Sequence, residues 1–186
     1  MSQTEQLRKG MVIRHEGHLY TVTEFSVAQS GKQKPTVHIK LHALHDGHPV
    51  ERTLAQLGTL EEVASEIREM QYLYASGQDR VFMDTITFEQ YTLSDAQLAG
   101  GSDYLVEEQN YRFLTIDGQP ALLQLPPSVA IEVVDTAPPA HAGGGSSVLK
   151  EARVASGLKV MVPLFIKSGD KIRVNTGTGE YLGKEH

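Results

Sequence analysis

The sequence predicts an all-β protein of three small β-barrel domains, and three observations carry that reading. Apolar residues come in short runs rich in β-branched and aromatic side chains, partly alternating with polar ones, as half-buried strands require. Those runs are divided by Gly, Pro, Asp-Gly and His-Asp-Gly-His turns. The 186 residues are 40% hydrophobic with no Trp and few aromatics, which suits several thin cores better than one thick one.

The elements follow in chain order. Met11–Arg14 leads through the turn Glu16-Gly17 into a strand over Leu19–Val27. Ser30-Gly31-Lys32-Gln33-Lys34-Pro35 breaks that pattern, and Thr36–Leu41 resumes it with Val37, Ile39 and Leu41 on one face and His38 and Lys40 on the other. Two strands around a polar, Gly-containing loop predict a hairpin with a protruding tip. His45-Asp46-Gly47-His48 is a second turn, followed by a strand over Pro49–Leu54, completing a first small barrel over residues 1–65. Thr59–Met70 is Glu-rich without a clear strand period and reads as the crossing into a second domain, residues 66–127. There, Gln71–Tyr74 and Arg80–Asp84 form a hairpin around Ser76-Gly77, with short helical turns expected over Thr87–Gln90 and Asp95–Ala99. Tyr111–Ile116 and Pro120–Leu125 flank Asp117-Gly118, a strong hairpin turn. Pro126-Pro127 cannot donate to a sheet and marks a linker to a third domain, residues 128–186. Strands over Val129–Val134, Leu158–Ile166, Lys171–Asn175 and Glu180–Leu182, with a long Pro/Gly/Ser run over 138–147, suit an OB-type barrel.

Composition excludes several function classes. The absence of cysteine removes disulfides, thiol catalysis and thiolate zinc sites, and fits a reducing compartment. Residues 1–6 carry no apolar run after a basic cap, and no stretch approaches the roughly 20 apolar residues that span a bilayer, so a soluble cytoplasmic protein without a membrane partner is expected. Net charge is −6, against a simple RNA-coating protein. The charge is uneven: residues 1–60 hold 7 Lys/Arg against 5 Asp/Glu, residues 61–186 hold 10 against 18, and six of the eight histidines lie in the first group. A cationic end on an acidic body suggests docking on RNA with that end leading; chance scatter of surface charge is the bland alternative.

The third domain resembles a known family. Lys150-x-Ala152, Gly157, Val160, Val162-Pro163, Ile166 and Gly169 reproduce, without a gap, the spacing of the elongation factor P pattern. Asp170–Thr176 and Gly179-Glu180-Tyr181 continue it, and Leu7–Gly10, Phe88-Glu89-Gln90 and Asp117–Pro120 look like further landmarks, so the resemblance spans the chain. It implies an SH3-like, KOW-like first domain and two OB-type barrels in an L-shaped arrangement similar in size to tRNA. It also implies a non-enzymatic monomer that needs no cofactor. Its partners would be the 70S ribosome, rRNA and the P-site peptidyl-tRNA, bound between the P and E sites to restore peptide-bond formation at stalled consecutive prolines.

The resemblance places Lys32 at the tip of the first-domain loop, where relatives reach toward the peptidyl-transferase centre and are extended by a lysine-modifying enzyme, for instance with a β-lysyl group. A lysine there offers a compact cation with three donors to phosphates and 2′-hydroxyls. The common tip is Pro-Gly-Lys-Gly; here Ser30, Gly31, Lys32, Gln33 and Lys34 occupy it, which makes Lys34 the competing cation. A third-domain loop that approaches the E-site codon in relatives is Gly143-Gly144-Gly145 here, without side chains to read a base. His42 stands where relatives often carry arginine, implying a phosphate contact, and Tyr181 and Lys184 match a tyrosine and arginine near tRNA.

Other readings compete. His38, His42, His45 and His48 have spacings that suggest a metal site on a helix, but in a strand–turn–strand they do not converge. A hydrolase lacks a nucleophile elbow, P-loop or paired zinc motif. A free-standing OB-type RNA-binding protein would want more exposed aromatics for stacking. The elongation-factor-P-like paralogue shares the architecture but usually carries arginine at the tip.

Overall fold

A computed structural model describes residues 6–29, 34–139 and 148–185. The described chain is nearly all β. It comprises β1 (Val12–His15), β2 (His18–Ala28), β3 (Thr36–Ala43), β4 (Pro49–Thr53), α1 (Leu54–Leu57), β5 (Glu61–Val63), β6 (Glu66–Ser76), β7 (Asp79–Asp84), β8 (Gln90–Leu93) and α2 (Asp95–Leu98). A 3₁₀ turn over Gly101–Tyr104 then precedes β9 (Asn110–Ile116), β10 (Gln119–Gln124), β11 (Ser128–Thr136), β12 (Leu149–Val154), β13 (Lys159–Pro163), β14 (Lys171–Asn175) and β15 (Tyr181–Lys184). Three five-stranded sheets result, in the orders β4-β3-β2-β1-β5, β10-β9-β6-β7-β8 and β13-β12-β11-β14-β15. The chain divides into two compact units, one drawn from 1–68, 96–99 and 113–123, the other from 69–95, 100–112 and 124–186.

In the first unit, strict alternation does the work on β3: Val37, Ile39 and Leu41 are buried while His38 and Lys40 face water. Ile13, Val22 and Leu57 close the same core. The helix α1 starts because Thr53 N–H donates to Gln56 Oε1 at 2.8 Å, meeting one of the donors a helix start leaves unpaired. A second, smaller cluster joins Val12 of β1 to Leu114 of β9 and Leu122 of β10, with Leu19, Leu44 and Val63 packed around it. Asp117 and Gly118, at φ 53° and 77°, turn β9 into β10 as the Asp-Gly pair predicts, since the favoured two-residue hairpin needs positive φ at both positions.

In the second unit, Phe82 lies 5.2 Å from Tyr72 and 6.3 Å edge-on from Tyr111, centroid to centroid. The Tyr111 hydroxyl accepts from Val106 N–H at 2.8 Å and donates to Tyr104 carbonyl at 3.2 Å, so its polar end is satisfied inside. Ile131, Val133, Val154, Val162, Ile166 and Ile172 build the last core.

Three expectations need correction. Residues 59–70 are not a featureless crossing: β5 and the start of β6 lie there, short or charge-decorated because their outer faces meet solvent. Thr87–Gln90 is not helical; Phe88 has φ 60° and Gln90 already belongs to β8. The strand expected over Leu158–Ile166 stops at Pro163, while β12, whose Lys, Glu and Arg at 150, 151 and 153 blur its alternation, was not foreseen.

Candidate functional site

The candidate site begins with the β2–β3 hairpin. The two strands pair from Tyr20↔Ala43 to Ala28↔Thr36, with a bulge between Val22 and Glu24. An extra residue at a bulge bends its strand and raises its twist. Here Thr23 Oγ1 fixes the bulge by donating to the Lys40 carbonyl at 3.1 Å. Beyond it, Glu24 Oε2 meets Lys40 Nζ at 2.7 Å, and that pairing lowers the Glu24 pKa and raises that of Lys40. The hairpin thus stays paired up to residues 28 and 36, with β4 alongside β3 from His38 to His42.

Ser30, Gly31, Lys32 and Gln33 lie outside the described residues, as do Gly143, Gly144 and Gly145. Lys34 is exposed and lines a groove of about 460 Å³ with Thr36, Val37, Thr53 and Leu54.

His42 sits at the other end of β3, away from the hairpin's loop end. Its Nε2 is buried without a hydrogen-bond partner among the described residues, and burial lowers its pKa below the ordinary histidine value. Burial thus disfavours the charged form of this imidazole. Around it, His18 and His45 stack at 4.5 Å, His45 Nε2 is 3.2 Å from Asp46 Oδ2, and His48 N–H donates to Asp46 Oδ1 at 3.0 Å. That backbone donor, with the neighbouring histidines, lowers the Asp46 pKa. Among the described residues no group of three His, Cys, Asp or Glu is arranged to hold a metal.

Tyr181 and Lys184 share β15. Tyr181 is half-buried against the last core, and burial raises its pKa. Lys184 Nζ lies 3.0 Å from Oδ1 of Asp170, a carboxylate only 7% exposed. Asp170 Oδ2 also accepts the Lys167 N–H at 3.1 Å; this bond first, and the lysine second, hold its pKa down. Arg173 grips Glu185 through two N–H donors at 3.0 and 2.6 Å. The charge of Lys184 thus closes an internal clasp, which sequence spacing could not reveal because the partner is 14 residues away across the β14–β15 hairpin.

Comparison with known proteins covers the chain from end to end. Three family descriptions match in order: the elongation factor P KOW-like domain over residues 3–56, the elongation factor P OB domain over 65–123, and the elongation factor P C-terminal domain over 129–184. Elongation factor P of Moorella thermoacetica is 38% identical over 182 residues, 98% of each chain. Elongation factor P of Synechococcus sp. (strain JA-2-3B'a(2-13)) is 38% identical over 185 residues, 100% of each chain. A solved structure of eukaryotic translation initiation factor 5A from Methanococcus jannaschii is 18% identical with a TM-score of 0.45, covering 63% of this chain and 89% of that one. The two bacterial relatives match over essentially their whole length, and the three domain matches run in the same order. This chain belongs to the elongation factor P family of translation factors.

Proposed function

We propose that this protein binds the 70S ribosome between the P and E sites and stimulates peptide-bond formation at stalled proline runs by positioning the P-site peptidyl-tRNA through Lys32. The observation that carries the reading is the full-length match to curated elongation factors, with the three domain matches in order along the chain. We take the chain as three domains, over 1–65, 66–127 and 128–186.

The chemistry asked of the protein is positional. Proline has a fixed φ, so a peptidyl end carrying it reaches the reactive geometry rarely. Holding reactants in a near-attack arrangement lowers a barrier by several kcal/mol without an acid, base or nucleophile from the factor. A hairpin paired to Ala28 and Thr36 and flanked by β4 is a suitable carrier for the loop that contains Lys32. Lys34 adds an exposed cation beside it. Lys184 keeps N–H donors beyond its bond to Asp170, and Tyr181 stands on the same strand. The protein acts in the cytoplasm as a monomer, on rRNA and tRNA, and a lysine-modifying enzyme extends Lys32, for instance by β-lysylation.

Lys32→Ala should fold normally and abolish rescue of a polyproline reporter in a reconstituted translation system. Rescue at the wild-type level would remove the mechanism. Intact-protein mass spectrometry from native cells, with added mass localised to Lys32, checks the modification.

A further inference from the structure

Five of the six histidines in the first sixty residues gather where the β1–β2 and β3–β4 turns meet. The rings of His18 and His45, one from each turn, stack at 4.5 Å, and Tyr20 stands edge-on to His45 at 6.4 Å. His15 lies 6.5 Å from Tyr20. His48 shares Asp46 with His45: its Nδ1 is 3.8 Å from Oδ1, and His45 Nε2 is 3.2 Å from Oδ2. His42 joins them, since a Cβ at Gly47 would come within 3.9 Å of its buried Nε2. The sixth, His38, pairs with Ser26 and Thr53 farther along β3. The two turns tie the base of the sheet together. Leu44 N–H donates to the Leu19 carbonyl at 2.9 Å, and both leucines pack on the seam of Val12, Leu114 and Leu122. The His18–His45 stack is one residue from each of those leucines.

Few counter-charges face this cluster. Its own carboxylates are Asp46 and Glu16, and Glu16 Oε1 is 4.0 Å from His15 Nε2. On the neighbouring strands, Arg14 is paired with Glu61 and Lys40 with Glu24. Glu51 and Arg52 of β4 stand opposite Lys40 and Ile39, past the Pro49 that faces His42. The Ala96 carbonyl of α2 approaches Gly47, and residues 96–99 hold no ionisable group. Between 113 and 123, β9 and β10 bring Asp117 alone, at their turn. A first proton, on His45 or His48, is met by Asp46. A second, on His18, faces a cation across the stack, and His18 forms no ion pair with a described residue. A third, on His42, enters a place where burial opposes it. We propose that the cluster is an acid-sensitive latch: uncharged, the imidazoles hold the two turns together over the Leu19–Leu44 seam, and protonated, they drive the turns apart and loosen the base of the sheet. The folded cluster accommodates fewer protons than the separated turns. The latch is therefore whole above about pH 6.5, the ordinary histidine value, and lost as the pH falls below it. It operates whatever the lysine loop binds.

Amide exchange of the full chain tests this, read by mass spectrometry at pH 7.5 and pH 5.5 with labelling times scaled for the chemical exchange rate. Peptides spanning 15–20 and 43–48 should lose protection about tenfold at pH 5.5, the factor that one pK unit of differential protonation carries. Peptides covering Val133 and Gly169 in the last sheet should keep theirs. His18→Lys, a permanent cation in the stack, should reproduce the loss at pH 7.5. His18→Asn, polar but uncharged, should retain at pH 5.5 most of the protection that the wild type loses. His18 is exposed, so neither change threatens the fold, and the wild-type comparison stands without them. Equal wild-type protection at the two pH values overturns the latch, and so does a uniform loss that includes Val133 and Gly169. A His18→Lys protein as protected at pH 7.5 as the wild type, or a His18→Asn protein that loses as much in acid, refutes it equally.

Discussion

Leu114→Ala tests whether the N-terminal sheet is held firmly at its base. Leu114 is 2% exposed on β9 and packs with Val12, 0% exposed on β1, and with Leu122 on β10. Truncation removes three carbons, worth about 2.4 kcal/mol at ~0.8 kcal/mol per buried carbon. Incomplete collapse around the cavity raises the expected loss to about 3–4 kcal/mol, inside the usual Leu→Ala range. For a chain of this size that corresponds to a fall in Tm of roughly 6–16 °C. Leu114→Met, which nearly conserves volume, should cost less than about 1.5 kcal/mol. Thermal and urea unfolding followed by far-ultraviolet circular dichroism measure both. A loss under about 1 kcal/mol for the alanine variant would mean that this seam does not share in cooperative folding. At a temperature well below both transitions, polyproline rescue should fall for the alanine variant and not for the methionine one, because β1 and the hairpin strand β2 stand on the seam.

Two other residues give distinct readouts. His42 has its pKa lowered by burial, so between pH 6.5 and its folded value the unfolded chain binds a proton that the folded chain does not. Stability is therefore whole above pH 6.5 and lost as the pH falls below it. His42→Leu should flatten that part of the profile in urea melts at pH 7 and pH 5, and an unchanged slope would refute the assignment. Lys184→Met leaves the Asp170 carboxylate with its backbone donor and only the weaker influence of the Lys167 charge. Tm at pH 7 should drop by several degrees, while Lys184→Arg should retain most of it. Asp170 has a depressed pKa, so the clasp's contribution holds above the ordinary carboxylate value and fades as acid protonates it; the wild type and Lys184→Met should converge at low pH.

Much of the fold was legible because the signals were local. Val37, Ile39 and Leu41 alternate with His38 and Lys40, and they are buried and exposed accordingly. Asp117-Gly118 names its own turn. What escaped depended on partners distant in sequence. β5 is three residues long and exists because β1 offers it an edge, with Val12 opposite Val63. β12 looked polar, yet Ala152 and Val154 turn inward once Val160 and Val162 face them. For the site, the hairpin that bears the lysine loop was readable from Ser30–Pro35 and its flanking strands. The engagement of Lys184 with Asp170 and the buried Nε2 of His42 were not, since each is set by tertiary neighbours that no periodicity encodes.

The same neighbours sharpen the charge argument. Seven Lys/Arg against five Asp/Glu make the first sixty residues only slightly basic, too little to orient the molecule as a whole. Several of those cations, however, are spent at short range. Arg8 pairs with Glu62, Arg14 Nε lies 3.1 Å from Glu61, and Lys40 lies 2.7 Å from Glu24. Such exposed pairs add little stability, but each cancels its own field within a few ångströms. At physiological salt the screening length is about 8 Å, so a cation without a partner acts on what comes within a few such lengths of it. Lys34 makes no ion pair with a described residue and stands two positions from Lys32 in sequence. Pairing thus leaves few cations in the first sixty residues whose field is not cancelled at short range. An uncancelled cation next to the loop is what the proposed positioning of tRNA draws on.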